Sequence, residues 1–561
     1  MKRGHQNLFI ASISAVAGLA MANELGLVGA YEVARSQPAV RIAPQAETTV
    51  FPQGQPTAVS SDALEAVTPT SNWAKIVNGS LAYQTTAKGD RIMDFSSAGY
   101  AGGGVALPTD VPVRVTLSPS GGDDTAAIQA AIDTVSARDR GSDRYRGAVK
   151  LGVGTFRISR PLAINAAGVV VAGSGTGTNG TIIQMTGTTG FRAFNIGTAQ
   201  APVLSNTVSL TSSYIKSGSD SVRVESVAGF AVGQRVQLSR TVTAAWLRFM
   251  GMDTLTRDGA PQTWIAPGTV IATPRAISSI DAGTKTIRFD APITDSFDAT
   301  YLGSPVGTLS RVDYPARVSW VGVEHLKIVA PAGSTVYSGA TFSNVINGYL
   351  NDVVGQDLQN SFNVARDAQQ ITFERVVTTG TVTQSNAAPT ADFSVTGSQV
   401  LLNRCQALTA GNWGFVTGGP GVGPTVLLNF IGGPGSRGVA PHQRWYTGVL
   451  VDSSSLQGGS STTPGIAFTN RRNLGTGHGW TTGWSVAWNV TSPYFAVQSA
   501  PGTINWCIGC VGSAVSVTEP GTFDASGSKV APASLYLQQL LERRGAAALS
   551  AIGYASTDPT S

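Results

Sequence analysis

From residue 320 onward, short apolar runs recur along the chain, and many of them end in asparagine or aspartate. Successive run ends are 26, 23, 18 and 19 residues apart. A period near 20, with one short strand per coil, predicts a solenoid of stacked coils with a ladder of Asn side chains at one turn. A β-sandwich would favour Asn-Gly or Asp-Gly hairpin turns, which these run ends lack. The runs end at Asn403, Asn429, Asp452, Asn470 and Asn489.

The remaining segments predict elements of other kinds. Residues 23–93 are rich in Pro, Ala and Thr, and we expect a loosely ordered extension there. Residues 122–137 have the apolar periodicity of a helix after an aspartate pair suited to an N-cap. Residues 209–300 break the repeat and predict an antiparallel β insertion. Residues 532–554 predict a mostly helical segment that covers the last coil, whose strand edges are otherwise exposed.

Three features together resemble a known superfamily: the helix within GGDDTAAIQAAID, the strand within GAVKLGVGTFRIS, and the coils punctuated by Asn. They resemble the pectate-lyase-like superfamily over roughly residues 94–555. The resemblance implies an all-β fold, a single-stranded right-handed parallel β-helix with N-terminal and C-terminal capping helices. That superfamily includes polysaccharide lyases, glycoside hydrolases, epimerases and phage tailspikes, so the fold does not decide the function.

Residues 1–22 are typical of an export signal. A positively charged start precedes an apolar run of 15 residues and a small-x-small cleavage site at Ala20-Met21-Ala22. The run is too short to span a membrane, and no later segment has 18 uninterrupted apolar residues. We therefore expect a soluble, secreted or periplasmic protein, and a monomer. A retained N-terminal anchor is the alternative.

Charge and cysteine content exclude two further classes of function. Loss of the signal lowers the formal net charge from +5 to +3, too little for a nucleic-acid-binding protein. Cys507 and Cys510 have no second Cys pair or His pair nearby to complete a zinc site. Residues three apart along a strand lie ~10 Å apart, too far for a disulfide. We expect these cysteines and Cys405 to be small buried apolar residues.

The segment 393–518 has an unusual composition. It contains one acidic residue, Asp452, no lysine, five arginines, and six of the ten tryptophans. It also holds two of the three histidines that follow the signal. Guanidinium groups bind carboxylates or sulfates bidentately, and aromatic faces pack on apolar surfaces such as those of sugar rings. The segment therefore predicts a site for an acidic, uronate-containing polysaccharide.

The spacing of the two histidines predicts their placement. His442 lies ten residues before Asp452, and His478 lies eleven before Asn489. If these run ends are equivalent, the histidines occupy one position two coils apart, at ~9.5 Å. The small residues of 458–463 then form a slot between them, about one sugar wide. Glycines around His478 are expected to expose it to this slot.

Such a slot suits metal-independent β-elimination of a uronate. The reaction needs a cation for the C5 carboxylate, a base for the C5 proton and an acid for the departing O4. We expect Arg471 or Arg472 to supply the cation. His442 and His478 share the base and acid roles, with Tyr446 as an alternative acid.

Neighbouring residues are expected to bind the rest of the polymer, and no metal or other cofactor is expected. Arg444 and Arg472 suit carboxylates, and tryptophans suit sugar faces. The predicted substrate-binding residues are Arg444, Trp445, Arg472 and Trp480.

Three alternatives remain open. A polygalacturonase-like hydrolase needs two carboxylates about 5–9.5 Å apart, and GTGHGW is similar to one element of that family while its other elements are missing. A calcium-dependent lyase needs an acidic cluster, for which Asp352, Asp357 and Asp367 are the candidates. A non-catalytic adhesin needs the arginines and tryptophans but not the histidines.

Overall fold

The computed structural model describes residues 69–187, 189–334, 336–383 and 390–560. The predicted export signal and residues 23–68 of the predicted extension lie outside these ranges. The described chain is mostly β-structure, with strands that pair in parallel over most of its length. Within the described ranges, no helix combines the length and the apolar character needed to cross a lipid bilayer.

The parallel strands form three faces, and a typical turn of the chain contributes a strand to each. The first face contains Val113–Leu117, Gly147–Leu151, Val169–Ala172, Val318–Val329, Val345–Gln356, Gln369–Glu374, Ser398–Asn403, Gly421–Leu428, Tyr446–Asp452, Thr482–Gly483, Val486–Trp488, Trp506–Ile508 and Thr522–Asp524. The second contains Gly154–Ile158, Thr181–Met185, Val377–Thr379, Gln406–Ala407, Ile431–Gly432, Ser455–Leu456, Thr491–Val497 and Val511–Ala514. The third contains Leu162–Ile164, Arg192–Ile196, Ser338–Phe342, Phe362–Val364, Ala391–Val395, Trp413–Thr417 and Ile466–Phe468. The prediction of one strand per coil is therefore wrong, whereas the predicted parallel stacking is confirmed.

The core lies between the three faces and is built from residues in register on successive strands. On the first face, Val323 pairs with Leu350, Leu350 with Phe373, Phe373 with Leu402, and Leu402 with Leu427. All five side chains are fully buried. Because strand neighbours lie ~4.8 Å apart, each side chain packs on the equivalent one of the next coil.

A left-handed backbone residue marks the corner between the first and second faces. Arg375, Arg404, Asn429, Ser453 and Asn489 occupy this corner on successive coils, with φ between 49° and 55°. Asn tolerates positive φ better than most residues. Part of the Asn pattern in the sequence therefore reflects this turn.

Other run ends fall outside that corner, which corrects the predicted ladder. Asn403 and Asp452 lie one residue before it, at the ends of their strands. Asn470 follows the third-face strand Ile466–Phe468 and pairs with Trp480 in an antiparallel bridge. The run ends are therefore not equivalent positions.

The antiparallel segment runs from 203 to 313. Its six-stranded sheet has the order Val203–Ser209, Thr308–Asp313, Arg235–Thr241, Val270–Asp281, Thr286–Phe289 and Ser221–Arg223. Two short antiparallel strand pairs and two short helices complete it. The strand pairs are Tyr214–Ile215 with Phe297–Asp298 and Thr256–Arg257 with Ala260–Pro261, and the helices are Ala244–Phe249 and Ala299–Leu302. We call residues 203–313 the insertion.

Helices lie at both ends of the described chain. The helix Thr125–Ser136 buries Ile128, Ile132 and Val135 against the first strands, as its periodicity predicts. Near the C-terminus, Leu535–Arg544 and Ala546–Ala551 are separated at Gly545, which has φ of 78°. A short 3₁₀ turn covers Tyr100–Gly102.

The C-terminal segment does not cover the last coil, which corrects the sequence prediction. It runs back along the outside of the first face. The Asp452 carboxylate accepts hydrogen bonds from the Ser534 hydroxyl and the Tyr536 backbone N–H, both at 2.7 Å. The Tyr554 hydroxyl donates to Asn403 Oδ1 at 2.6 Å. Outward-facing apolar residues of the first face drive this packing, because they form one buried cluster with the helices.

Residues 69–93 differ from the predicted loose extension. Ala74–Val77 and Ser80–Tyr83 form an antiparallel hairpin. Trp73 packs edge-to-face on Trp506 at a centroid distance of 5.5 Å, and Met93 is fully buried. Burial of these apolar side chains on the first face explains the order.

A disulfide joins Cys507 and Cys510, contrary to the expectation from strand geometry. The strand Trp506–Ile508 contains Cys507 but ends before Cys510, and Gly509 turns the chain between them with φ of 65°. This corner brings the two Cα atoms to 5.7 Å, within the range that a disulfide spans. Cys405 is a buried free thiol, as predicted.

Candidate active site

His442 and His478 lie in direct contact. Their ring centroids are 4.7 Å apart, with 55° between the ring planes. The predicted two-coil separation is wrong because Asp452 pairs directly with Trp488, one coil further along. That coil is 36 residues long, since it includes the segment 453–488. No slot formed by residues 458–463 separates the histidines.

The loop that carries His478 is closed by the antiparallel bridge between Asn470 and Trp480. The Arg471 N–H donates to the Gly479 carbonyl at 2.8 Å, and the Gly479 N–H donates to the Arg472 carbonyl at 2.9 Å. Gly475 has φ of 60°, and a Cβ atom there would lie 2.3 Å from His478 Nε2. The glycines therefore make room for a buried ring, with 7% of His478 exposed, and do not present it to solvent as predicted.

The insertion packs against this loop. Trp264 contacts Gly479 so closely that a Cβ atom there would lie 2.4 Å from the indole. Arg257 Nη1 donates to the Gly475 carbonyl at 2.7 Å, and Asn473 Nδ2 donates to the Thr256 carbonyl at 3.1 Å. The insertion thus forms one wall of the site, a role that the sequence did not reveal.

Arginines surround the histidine pair. Arg471 Nη1 lies 3.0 Å from both His442 Nδ1 and the His442 carbonyl. Arg444 Nη2 donates to the carbonyl and hydroxyl of Thr476, at 2.9 and 2.6 Å. Arg472 is exposed, and its Nη2 lies 3.9 Å from the Glu519 carboxylate. We call Arg444, Arg471, Arg472, His442 and His478 the His–Arg cluster.

The His–Arg cluster keeps its histidines neutral. Burial, together with Arg471 and His478, holds the pKa of His442 well below its usual range. Burial, with Arg471 and Arg444, lowers the pKa of His478 to about 3. Because Arg471 can only donate, His442 Nδ1 accepts and its proton lies on Nε2. The resting site thus combines arginine charge with two unprotonated imidazoles.

Two polar atoms of the cluster are buried without a hydrogen-bond partner in the described chain, namely His478 Nδ1 and Arg444 Nε. Buried polar atoms normally have partners, so each exception needs an explanation. The Arg444 N–H lacks an acceptor, and the unprotonated His478 nitrogen lacks a donor.

Besides the buried His478, three of the predicted site residues lie in the protein interior. Tyr446 is fully buried, and its hydroxyl donates to the Gly397 carbonyl at 2.6 Å. Trp480 is 2% exposed, and its indole N–H donates to the Met250 carbonyl. Tyr446 as acid is therefore wrong, because its hydroxyl proton is held by the Gly397 carbonyl. Trp480 as a sugar platform is wrong, because its ring packs inside the cluster of apolar residues between the insertion and the coils. Trp445 is also buried but lines a cavity described below.

Two of the three acidic candidates for calcium have partners of their own, and the Oδ1 atom of the third, Asp367, is buried without a hydrogen-bond partner in the described chain. His325 Nδ1 lies 2.9 Å from Asp352 Oδ2, and Asp357 accepts hydrogen bonds from the Thr381 N–H and hydroxyl. Among the described residues, no group of three or more His, Cys, Asp or Glu side chains is placed to hold a metal ion.

Sequence reasoning missed Glu324, on the first face. It pairs with Asn351, so Asp352 follows one residue later on the adjacent strand. Glu324 and the Tyr349 hydroxyl interact with each other inside the protein, and burial raises the pKa of both groups. A lone glutamate within the apolar run VSWVGVEHLKIV was the available signal.

No family model matches this chain, and no curated protein matches it. Among solved structures, it is similar to the tailspike gp61 of Pseudomonas phage phi297, with 13% identity, a TM-score of 0.34, and coverage of 70% of this chain and 58% of that one. It is also similar to the tailspike gp49 of Pseudomonas phage LKA1, with 13% identity, a TM-score of 0.31, and coverage of 71% of this chain and 70% of that one. Its similarity to the A-module of the Azotobacter vinelandii mannuronan C-5 epimerase AlgE6 has 12% identity, a TM-score of 0.29, and coverage of 73% of this chain and 96% of that one. TM-scores this low assign neither fold nor activity.

Proposed function

We propose that this protein is a secreted or periplasmic polysaccharide lyase that cleaves an acidic, uronate-containing polymer at the His–Arg cluster. The observation that carries the proposal is the contact of Arg471 Nη1 with His442 Nδ1 at 3.0 Å, beside the His442–His478 ring contact. A guanidinium and two neutral imidazoles together supply what uronate elimination needs.

Substrate binding begins with charge. The cluster has three arginines, and the Glu519 carboxylate lies 3.9 Å from Arg472, so its formal charge favours an anion. Arg471 and Arg444 are only partly exposed, where a guanidinium–carboxylate pair is less screened than on an open surface. The bound C5 carboxylate then withdraws electron density from C5 and acidifies its proton.

The base in this proposal is His478. Its Nδ1 has no partner in the described chain, whereas His442 Nδ1 already accepts from Arg471. The bound anion raises the low pKa of His478, because an opposite charge favours the imidazolium. His442 keeps its proton on Nε2 and donates a hydrogen bond to the substrate oxygen on which charge develops.

The reaction balances with a single shuttled proton. His478 takes the C5 proton, the C–H electrons form the C4–C5 double bond, and the C4–O4 bond breaks. The resulting imidazolium delivers the same proton to O4. His478 then serves as base and acid in turn, which replaces the predicted division of those roles between the two histidines.

The fold assignment is part of the same proposal. Connections between parallel strands are right-handed in about 98% of cases, so we assign the stack as a right-handed parallel β-helix. The Cys507–Cys510 disulfide supports export, because disulfides persist mainly in oxidising compartments. A calcium site takes six to eight oxygen ligands, and the described residues contain no group of three or more His, Cys, Asp or Glu side chains placed to hold a metal ion, so we propose elimination without metal.

A screen of acidic polysaccharides tests the proposal. The unsaturated product absorbs ultraviolet light, and hydrolysis produces new reducing ends without that absorbance. We expect a rise in absorbance with at least one uronate polymer, unaffected by a chelator. Reducing ends without absorbance, on every polymer that is cleaved, would contradict elimination.

Glycoside hydrolysis at Glu324 is the second candidate. Its support is the buried Glu324 carboxyl with a raised pKa, one strand from Asp352, whose carboxylate is held by His325. In this scheme Glu324 is the acid and Asp352 the base or nucleophile. Glu324→Gln abolishes cleavage if this candidate is right, and leaves cleavage unchanged if the His–Arg cluster is the active site.

A further inference from the structure

A cavity of about 320 Å³ lies where residues 86–90, the insertion and the first face meet. That volume is at the small end for ligand pockets and is enough for one or two sugar rings. It is distinct from the His–Arg cluster, although adjacent residues join the two. Arg444 extends to Thr476 in the cluster, and Trp445 forms part of the cavity wall.

Aromatic rings form much of the cavity wall. Phe249 and Tyr301 stack with centroids 3.8 Å apart and planes 16° apart, and both are half-buried. Trp246 meets Trp445 edge-to-face at 5.8 Å. Flat apolar rings of this kind pack well against the C–H faces of a sugar ring.

One polar group in the wall has no partner. Trp484 is 1% exposed and lines the cavity, and its indole N–H makes no hydrogen bond within the described chain. A buried indole N–H usually finds an acceptor. A hydroxyl oxygen of a ligand in the cavity supplies one.

Charge decides which class of sugar fits. Three carboxylates line the cavity, those of Asp90, Asp295 and Asp298. Lys88 forms an ion pair with Asp298 at 2.5 Å, and Arg240 forms one with Asp295 at 2.7 Å. Three carboxylates against two cations disfavour an additional anion. The His–Arg cluster has the opposite balance, so the two sites select different units of a polymer.

We propose that this cavity binds an uncharged sugar residue of the polysaccharide, which rests on the proposed function. The substrate is then a heteropolymer with uncharged and uronate units. The uncharged unit packs on Phe249 and Tyr301 and accepts a hydrogen bond from Trp484. The cavity is a specificity site and takes no part in proton transfer.

Saturation-transfer NMR on the full chain tests this proposal without any turnover. The probes are the methyl glycosides of glucose, galactose and mannose, with methyl glucuronide as the charged comparison. We expect transfer to at least one uncharged glycoside and weaker transfer to the glucuronide. Phe249→Ala should lower the affinity about fivefold, and Trp484→Phe should lower it while keeping an aromatic ring. Phe191→Ala, another half-buried phenylalanine, should change nothing.

The outcomes separate this proposal from the proposed function. His478→Gln should leave glycoside binding unchanged, because His478 lies outside the cavity lining. Absence of transfer to every uncharged glycoside overturns the cavity proposal, as does transfer that survives both Phe249→Ala and Trp484→Phe. Stronger transfer to the glucuronide, lost in those variants, overturns the charge assignment. None of these results depends on whether the protein is a lyase.

Discussion

Arg471 donates from Nη1 to His442 Nδ1 across 3.0 Å, and the same nitrogen contacts the His442 carbonyl at 3.0 Å. This pair fixes the His442 tautomer, because a guanidinium has no acceptor to offer. Burial, together with this permanent cation beside them, lowers the pKa of both imidazoles and keeps them unprotonated. The chemistry proposed for the His–Arg cluster follows from this arrangement.

Arg471 should therefore matter more to the rate than any other arginine in the segment. We expect Arg471→Ala to lower kcat/KM by roughly 10²–10³, the usual cost of removing a group that stabilises transition-state charge. Arg471→Lys should recover only part of it, because an ammonium cannot bind a carboxylate bidentately. Steady-state kinetics on the polymer found in the screen provides the measurement.

Arg437 is the matched control for that experiment. It also lies in 393–518, and its Nε donates to the Gly411 carbonyl at 2.7 Å, away from the histidines. Arg437→Ala should leave kcat/KM near the wild-type value. Equal losses for Arg437→Ala and Arg471→Ala would show that the effect is general positive charge.

Gly475→Ala tests whether the glycine loop holds the His478 ring. The new Cβ would lie 2.3 Å from His478 Nε2, in a residue with φ of 60°. Gly121→Ala is the control, because its φ is 85° and nothing lies within 4 Å of its Cβ position. The backbone strain alone costs about 1–2 kcal/mol in each variant. Thermal unfolding should show a larger loss for Gly475→Ala, and activity should fall in that variant alone.

Stability should depend on pH through His478. Folded His478 has a pKa of about 3, whereas the unfolded side chain titrates near about 6.5. Between these values the unfolded state binds more protons, so the free energy of unfolding falls as the pH falls. His478→Gln removes this contribution. Urea unfolding measures the free energy of unfolding at about pH 7 and at about pH 5. Its decrease from the higher to the lower pH should be smaller in the variant than in the wild type.

Buried carboxyls act in the opposite direction within part of that range. Burial raises the pKa of Asp392 and of Asp452 to about 6. Their effect is common to the wild type and to His478→Gln, so the difference between the two proteins reports His478 together with its effect on the pKa of His442. Identical pH dependence in both proteins would mean that His478 is not held neutral by the fold.

The Cys507–Cys510 disulfide should stabilise the last coils. A disulfide lowers the conformational entropy of the unfolded chain, and for so short a loop this raises the free energy of unfolding by about 2 kcal/mol. The double variant Cys507→Ala/Cys510→Ala should unfold at lower urea concentration. A reductant should lower the stability of the wild type towards that of the variant and leave the variant unchanged. The contribution would be contradicted if the wild-type protein, unfolded and refolded in reductant, still unfolded at the same urea concentration as without it.

The fold was predictable wherever local pattern decides it. The face of Ile128, Ile132 and Val135 follows from helical periodicity, and parallel stacking follows from the recurrence of apolar strands. The number of faces was not predictable, because second-face strands such as Gln406–Ala407 are only two residues long. Such strands leave no periodicity to detect.

The candidate site was predictable in composition but not in geometry. The bias towards Arg, His and Trp in 393–518 identified the residues that meet at His442 and His478. The position of the two histidines on the coils could not be predicted, because one coil is 36 residues long. In addition, Asn470 ends an apolar run as the corner residues do, but it lies in an antiparallel bridge and not at a corner. The insertion contacts the loop through Arg257 and Trp264, which are distant in sequence.

The most direct test of the account compares wild type and His478→Gln on the same acidic polymer. Product formation is followed by ultraviolet absorbance, and polymer affinity is measured on the same samples. The account predicts that the variant loses roughly 10²–10⁴-fold in kcat, the range for a removed general base, with polymer affinity nearly unchanged. A His478→Gln protein that forms the unsaturated product at the wild-type rate would contradict it.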